Sequence, residues 1–186
     1  AMISIATLPY FYALSPNYGD PDQDYLLQYE QGVMTMEAKS VYEALLNEGT
    51  LDTISLRKAS RLSAASSASR FNRALEYLQM EFKVLPVGIS DSGAWHYSFT
   101  YDLTHRHFPN LIEEAGKITE PQARKALATL FFETLGAARA SELAKLFRWT
   151  PINLQRTLDT MVNDQTIQPC QIEGQSGEFF MTCSSL

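Results

Sequence analysis

The sequence predicts an α+β fold, mostly helical, in which two similar units each place three helices before a small β-hairpin. Two observations support this prediction. A stretch from the middle of the chain recurs near its C-terminus, and apolar residues in both copies follow first the helical period and then the strand period. A length of 186 residues with 45% apolar content is enough for two small domains.

The repeat is visible when Gly49 is aligned with Gly136. Residues 56–62 then fall on residues 143–149, with leucine, lysine and arginine matched in place. The turn that follows is four residues shorter in the second copy, after which Arg73 aligns with Arg156 and Pro86 with Pro169. Such self-similarity indicates two copies of one supersecondary unit.

Each copy is predicted to contain three helices and two strands. In the first copy, helices are expected at 36–48, 54–61 and 67–80 and strands at 83–89 and 95–101. In the second copy, helices are expected at 122–135, 141–147 and 151–162 and strands at 166–172 and 178–183. Thr35, the pair Thr119 and Gln122, and Thr150 before Pro151 are expected to cap helices. This order is typical of a winged helix-turn-helix, so we predict tandem winged helix-turn-helix units with β-hairpin wings and an N-terminal helical extension.

These elements divide the chain into four predicted segments. They are an N-terminal helical extension (1–34), a first winged helix (35–102), a connecting helix (103–118) and a second winged helix (119–186). In the extension, Asp20 is expected to cap a helix that starts at Pro21 and stops at Gly32. Because Ile3 opens directly into apolar sequence, we expect the natural protein to extend upstream.

The chain is acidic overall, with a net charge of −6 and a pI near 5.1, which argues against indiscriminate coating of nucleic acid. The charge is unevenly distributed: residues 1–52 hold eight acids and one base, whereas residues 53–110 hold seven bases and four acids. Contact with a polyanion is therefore expected to be local. With no long apolar run and no secretory signal, we expect a cytoplasmic protein without membrane contact.

No cofactor or metal is expected. Cys170 and Cys183 are too few for a disulfide framework or a four-ligand zinc site. His105 and His107 would share a face of a strand, but no third ligand lies near them in the sequence. The sequence also offers no phosphate-binding glycine loop and no nucleophile elbow, so we expect no catalytic residue in this chain.

The candidate DNA-binding surface is the third helix of the first copy with the turn before it. Between residues 53 and 75 the chain has five bases and no acid, and the turn is rich in serine. Residues expected to contact double-stranded DNA are Arg57, Lys58, Arg61, Ser66, Ser67, Ser69, Arg70, Asn72 and Arg73. The alternative is that these bases cover helix surfaces and pair with the acidic N-terminal region.

The second copy is a weaker candidate for DNA binding. Its equivalent residues are Lys145, Arg148, Asn153 and Arg156, but Glu142, Asp159 and Asp164 lie among them. Packing or formation of a homodimer is the alternative role for this face.

Three stretches carry a resemblance to a known family. They are LPYFYALS at 8–15, AKSVYEALL at 38–46 with LDT at 51–53, and WHY at 95–97 with YDL at 101–103 and HFP at 107–109. On these motifs the chain resembles the AlkZ/YcaQ-like winged-helix family, which contains bacterial DNA glycosylases that unhook interstrand crosslinks. The resemblance implies a bacterial protein of the winged-helix fold with a connection to DNA repair.

The chain departs from the glycosylases of that family at one motif. Those enzymes are similar in using two polar residues, usually glutamines, one residue apart to position water at the damaged nucleotide. None of the ten glutamines here stands two positions from another. Three hypotheses stay open: a DNA-binding module, a glycosylase-like enzyme whose catalytic residues lie outside this chain, and a protein-interaction scaffold.

Overall fold

The computed structural model describes residues 3–17, 19–92 and 97–183. The fold is α+β and about 59% helical, with small antiparallel sheets. The chain forms two compact units, which we call the N-terminal unit (Phe11–Lys117) and the C-terminal unit (Ala1–Tyr10 with Ile118–Leu186). No helix of the described ranges is long and apolar enough to cross a membrane.

The N-terminal unit contains a three-stranded sheet and most of the helices. A 3₁₀ turn at Ile5–Thr7 precedes helix α1, whose residues span the boundary between the units. The elements in chain order are α1 (Leu8–Leu14), α2 (Pro21–Glu30), α3 (Met36–Glu48), β1 (Leu51–Asp52), α4 (Thr53–Ala59), α5 (Ala68–Met80), β2 (Val84–Ser90), β3 (Ser98–Leu103), α6 (Thr104–His107) and α7 (Leu111–Gly116). The sheet is antiparallel in the order β1-β3-β2.

The C-terminal unit repeats the central part of this order. Its elements are α8 (Glu120–Leu135), β4 (Ala137–Ala138), α9 (Ala140–Phe147), α10 (Pro151–Asn163), β5 (Ile167–Cys170) and β6 (Phe179–Thr182). Its sheet is antiparallel in the order β4-β6-β5. Both units therefore run helix, short strand, two helices and a hairpin, with the last strand in the middle of the sheet.

Backbone dihedrals repeat at the positions aligned by sequence. Gly49 and Gly136, at the ends of α3 and α8, have φ of 83° and 75°. Two pairs of residues other than glycine are also left-handed: Arg61 (60°) with Arg148 (53°), and Phe82 (54°) with Gln165 (58°). Because such residues are uncommon, two matched pairs of them support the alignment of the repeat.

Strand pairing repeats in the same way. Leu51 and Pro86 both pair with Tyr101 on the central strand, and Ala138 and Pro169 both pair with Phe180. The two prolines lie on β2 and β5, which are outer strands of their sheets. The sheets of the two units therefore share one register as well as one strand order.

Each unit has its own apolar core. In the N-terminal unit, residues of α3, α4 and α5 are buried together with Leu103 of β3; these helical residues include Val41, Leu45, Leu56, Phe71 and Leu78. In the C-terminal unit the corresponding core contains Phe132, Leu143, Met161 and Ile167. Full burial of one such side chain contributes roughly 1.5–3 kcal/mol, so these cores are the main source of stability in each unit.

Three predicted helix caps are confirmed and one is wrong. The Thr35 and Thr150 hydroxyls accept hydrogen bonds from the backbone of α3 and α10, and Thr119 forms a capping box with Gln122. The Asp20 side chain makes no capping bond, although Asp20 does precede Pro21 at the start of α2. Its φ of −126° and ψ of 83° fall outside the extended conformation that the three threonine caps adopt.

Two predicted features differ from the structure. The segment 103–118 holds the two short helices α6 and α7 instead of one connecting helix; they are interrupted at Phe108, where Pro109 disfavours helical geometry for the residue before it. The strands β1 and β4 were not predicted, because two residues are too few to show alternation. The strand predicted at 95–101 begins at Ser98, and residues 95 and 96 lie outside the described residues.

Candidate nucleic-acid interface

The candidate surface begins at helix α4, which Asp52 caps. Its Oδ1 accepts hydrogen bonds from the backbone nitrogens of Ile54 (2.9 Å) and Ser55 (3.1 Å), and its Oδ2 accepts one from the Ser55 hydroxyl (2.7 Å). Burial acts to raise the pKa of this carboxyl, but the bonds from Ser55 and Ile54 outweigh it and the pKa is lowered. The start of α4 is therefore fixed by a charged cap that sequence reasoning missed.

Two residues predicted to contact DNA instead hold the turn between α4 and α5. The Arg57 guanidinium donates to the carbonyl oxygens of Leu62 and Ala64, both at 3.2 Å, and lies over the Phe71 ring. The Ser67 side chain is buried and its hydroxyl donates to the same two carbonyls, both at 2.7 Å. Arg57 and Ser67 thus fix the turn by donating to the Leu62 carbonyl and to the Ala64 carbonyl, which also accepts from the Ser67 backbone nitrogen at 3.0 Å.

Helix α5 has a core face and an exposed face. Phe71, Leu75 and Leu78 are buried. Ser69, Asn72 and Arg73 are exposed, and the Arg73 Nε donates only to the carbonyl of Ser69, at 3.4 Å. Ser66 is exposed in the turn before the helix. The first two turns of α5 thus present polar and cationic side chains to solvent.

Arg70 is paired with an acid of the N-terminal part of the chain. Its Nη1 lies 3.1 Å from Glu37 Oε1 on α3, and the Arg70 side chain remains 53% exposed. For this residue the alternative prediction, pairing with the acidic N-terminal region, describes the structure. Its charge is therefore partly offset within the unit.

Three predicted cations remain unpaired. Lys58, Arg61 and Arg73 are exposed, and none of them has a carboxylate oxygen within 4.0 Å among the residues that the structure describes. Arg61 is held at the end of α4 by its left-handed backbone. Together with Ser66, Ser69 and Asn72 they form what we call the α4–α5 surface.

The hairpin beside this surface exposes apolar residues. Ile89 on β2 pairs with Phe99 on β3, and both are exposed. The Tyr97 ring is also exposed and contacts the Phe99 ring edge-on, with centroids 5.4 Å apart. The Thr53 hydroxyl at the start of α4 donates to the Phe99 carbonyl at 3.2 Å, which ties the hairpin to α4. The alternating pattern of the sequence did not indicate that the apolar residues at the start of β3 are exposed.

In the C-terminal unit the predicted residues lie in two places. Lys145 on α9 and Arg148 just after it are exposed. Asn153 and Arg156 on α10 line a groove of about 700 Å³ against α8, together with Arg124 and Lys125. The structure thus brings Asn153 and Arg156 into a cavity that Lys145 and Arg148 do not line.

The two histidines sit on or next to a helix instead of a strand. The His105 Nε2 lies 3.6 Å from Asp22, and burial lowers the pKa of this imidazole. His107 contacts the Phe108 ring edge-on. Within the described ranges no three histidine, cysteine or acidic residues are grouped so as to hold a metal ion.

The N-terminal unit also buries a lysine that the sequence did not single out. Lys83 is only 5% exposed, and its Nζ donates to Asn17 Oδ1 at 2.8 Å and to the Pro16 carbonyl at 3.4 Å. Burial lowers the pKa of Lys83 to about 8, although the nearby carboxylates of Asp24 and Glu81 act to raise it. This ammonium holds the turn after α1 against the end of α5.

The fold and the α4–α5 surface define a protein of two repeated α+β units, one of which presents unpaired cations between two helices. A family model described as AlkZ related matches residues 1–148. The chain belongs to the AlkZ-related family, which confirms the resemblance seen in its sequence motifs and associates it with DNA repair. No curated protein and no solved structure matches the chain.

Proposed function

We propose that this chain binds double-stranded DNA through the N-terminal unit, and that each unit is a winged helix. The order of elements supports this fold: helix, short strand, two helices and a hairpin around a three-stranded antiparallel sheet. In a winged helix of this order, α5 and α10 are the recognition helices and the β2–β3 and β5–β6 hairpins are the wings. The predicted segments 35–102 and 119–186 are the two domains of this proposal.

The observation that carries DNA binding is the α4–α5 surface. Lys58, Arg61 and Arg73 are exposed without a carboxylate partner in the described chain, although the protein is acidic overall. Because no carboxylate of the described chain pairs with these exposed cations, their positive electrostatic potential is able to attract DNA phosphates. The negative charge of the rest of the chain opposes nonspecific binding.

The residues of the α4–α5 surface form two sets, according to whether they are suited to contact the phosphates or the bases of DNA. Lys58 and Arg61, with the Ser66 and Ser69 hydroxyls, are suited to phosphate oxygens. Asn72 and Arg73 lie on the exposed face at the start of α5, where a recognition helix contacts base edges in the major groove. Arg70 contributes only if DNA competes with Glu37 for its guanidinium.

The test is fluorescence anisotropy of a labelled duplex titrated with the protein at several salt concentrations. We expect the variant Lys58→Gln/Arg73→Gln to bind more weakly and to lower the slope of log K against log salt by roughly 1–2, because each phosphate contact contributes about 0.9. The matched control is Lys145→Gln/Arg148→Gln, which removes the same charge from exposed positions of the other unit. Equal slopes for the protein and the first variant would refute the proposal.

Membership in the AlkZ-related family favours DNA repair as the setting for this binding. We propose that the chain belongs to a repair protein in which it supplies DNA contact. Competition between undamaged duplex and duplex carrying an alkylated base or an interstrand crosslink tests this. A preference for damaged duplex that disappears in Lys58→Gln/Arg73→Gln supports the repair role, and equal affinity for both duplexes counts against it.

A further inference from the structure

The groove between α8 and α10 is a second candidate for ligand binding, separate from the α4–α5 surface. It encloses about 700 Å³ and lies entirely within the C-terminal unit. Three cations line it: Arg124 and Lys125 from α8 and Arg156 from α10. The Lys125 ammonium is bound by the Asp164 carboxylate at the end of α10, so this pair joins the two helices.

Comparison of the two units shows what is unusual about this groove. The repeat places α3 on α8 with Gly49 on Gly136, and α5 on α10 with both helix ends coinciding. Most buried positions agree between α5 and α10, whereas along α3 and α8 the agreement is partial, since buried Ala38 aligns with Lys125, which lines the groove. Both pairs of helices align without a gap, so each position has one counterpart in the other unit.

At one pair of aligned positions the chemistry is reversed. In the N-terminal unit Glu37 on α3 binds Arg70 on α5 at 3.1 Å, which closes the space between the helices with an ion pair. The aligned residues in the C-terminal unit are Arg124 on α8 and Asn153 on α10. The carboxylate has been replaced by a guanidinium and the guanidinium by an amide, so both sides of the groove now offer hydrogen-bond donors.

The Arg124 side chain is held in place and incompletely satisfied. It is only 15% exposed, and its buried Nε has no acceptor among the described residues. Its Nη2 lies 2.8 Å from Glu120, whose side chain is 65% exposed at the rim of the groove. Arg156, aligned with Arg73, has no carboxylate oxygen within 4.0 Å in the part of the chain that the structure describes. A buried donor without an acceptor is costly unless another molecule supplies one.

We propose that this groove binds a phosphate group between Arg124 and Asn153, which joins α8 to α10 as the ion pair of Glu37 and Arg70 joins α3 to α5. Arg124 and Arg156 supply charged donors and Asn153 supplies amide donors, and a tetrahedral phosphate carries enough oxygens for all three. A groove of about 700 Å³ is larger than inorganic phosphate, so the group belongs to a bigger molecule, either a mononucleotide or a DNA strand. Glu120 competes with the ligand for Arg124 and lowers its affinity.

The experiment is a titration followed by NMR of the Arg124 Nε–H and the Asn153 side-chain amide, at constant ionic strength. The probes are inorganic phosphate, deoxyadenosine 5′-monophosphate and a short DNA duplex. We expect saturable shifts of both signals. The affinity should fall at least about tenfold in Arg124→Gln and in the exchange variant Arg124→Glu/Asn153→Arg, which rebuilds the ion pair of the other unit. It should rise in Glu120→Gln and stay unchanged in the control Arg148→Gln.

The three probes separate the sources of the phosphate. Saturation by the mononucleotide identifies a free nucleotide as the ligand, and saturation by the duplex alone identifies the DNA backbone; either result supports the site. Absence of saturable shifts with all three probes would overturn the proposal, as would equal affinities for the protein and Arg124→Gln. Unchanged thermal unfolding of each variant verifies that the unit remains folded. Because Lys58 and Arg73 lie in the other unit, their substitution tests the proposed function separately.

Discussion

Buried Lys83 makes the stability of the N-terminal unit depend on pH in an unusual direction. Its pKa is lowered from 10.5 to about 8, so between these values the unfolded chain binds more protons than the folded one. The free energy of unfolding therefore increases as the pH rises through this window. We expect the protein to become more stable as the solution is made mildly alkaline.

The size of the effect follows from the shift. One unit of pKa corresponds to about 1.4 kcal/mol, so the whole difference amounts to about 3 kcal/mol. Between pH 7 and about pH 9.5 the free energy of unfolding should rise by about 2 kcal/mol from this group alone. The buried tyrosines oppose this gain only weakly in this range: burial raises the pKa of Tyr12 to about 12 and raises those of Tyr42 and Tyr101, so their loss of stability develops only as the pH approaches their ordinary pKa of 10.0.

The assay is urea unfolding of the N-terminal unit at several pH values. Unfolding is followed by far-ultraviolet circular dichroism, and comparison of each variant with the parent protein isolates the contribution of Lys83. The variant Lys83→Met should lose the alkaline gain, whereas the control Lys58→Met, which changes an exposed lysine, should keep it. If Lys83→Met and the parent protein showed the same pH dependence, the ammonium would not be the source of the effect.

Four further outcomes are expected, each measured by thermal or urea unfolding. Asp52→Ala should lower the free energy of unfolding by about 1–2 kcal/mol, because it removes the cap of α4. Since the pKa of this carboxyl is lowered, the stabilisation by Asp52 should disappear as the pH falls through the acidic range, and a loss independent of pH would argue against the cap. Leu78→Ala should cost about 2–5 kcal/mol because this side chain is fully buried, and a smaller loss would mean that the core closes over the cavity. Arg148→Gly should stabilise the C-terminal unit by up to about 1 kcal/mol, because glycine adopts the left-handed backbone of this position without strain, while Arg148→Val should destabilise it. A valine variant more stable than the glycine variant would contradict this reasoning. Gly88→Ala should destabilise the hairpin, since an added Cβ would lie 3.0 Å from the Thr100 hydroxyl, and an unchanged midpoint would show that Thr100 moves aside.

The sequence predicted most of what depends on neighbours along the chain. Helix types, the caps at Thr35, Thr119 and Thr150, and the buried face of α5 come from local periodicity and local hydrogen bonds, and the structure confirms them. The repeat was detectable because Gly49 and Gly136 mark the same point in both copies. Local rules were therefore sufficient for the three helices of each repeated unit, but not for the segment 103–118 or for the cap expected at Asp20.

Part of what the sequence did not predict depends on contacts between residues far apart in the chain. Arg70 binds Glu37, which is 33 positions away, and Lys83 is buried by a turn 66 positions away. The two carbonyls that accept from Arg57 are only five and seven positions away, but this contact depends on the conformation of the turn, which charge and periodicity do not specify. Charge patterning identified the correct segment for an exposed cationic surface, but only coordinates could separate Lys58, Arg61 and Arg73 from their engaged neighbours.

The prolines on the outer strands affect the tendency of this protein to aggregate through its sheet edges. The open side of a sheet invites a further extended segment to add to it, which is a route to aggregation. Pro86 and Pro169 lack the backbone hydrogen that such an added segment would need, and in β2 the ladder is further disturbed by the bulge between Pro86 and Gly88. The duplicated unit thus has a proline on the same outer strand of both sheets, which disfavours the addition of a further strand at that edge.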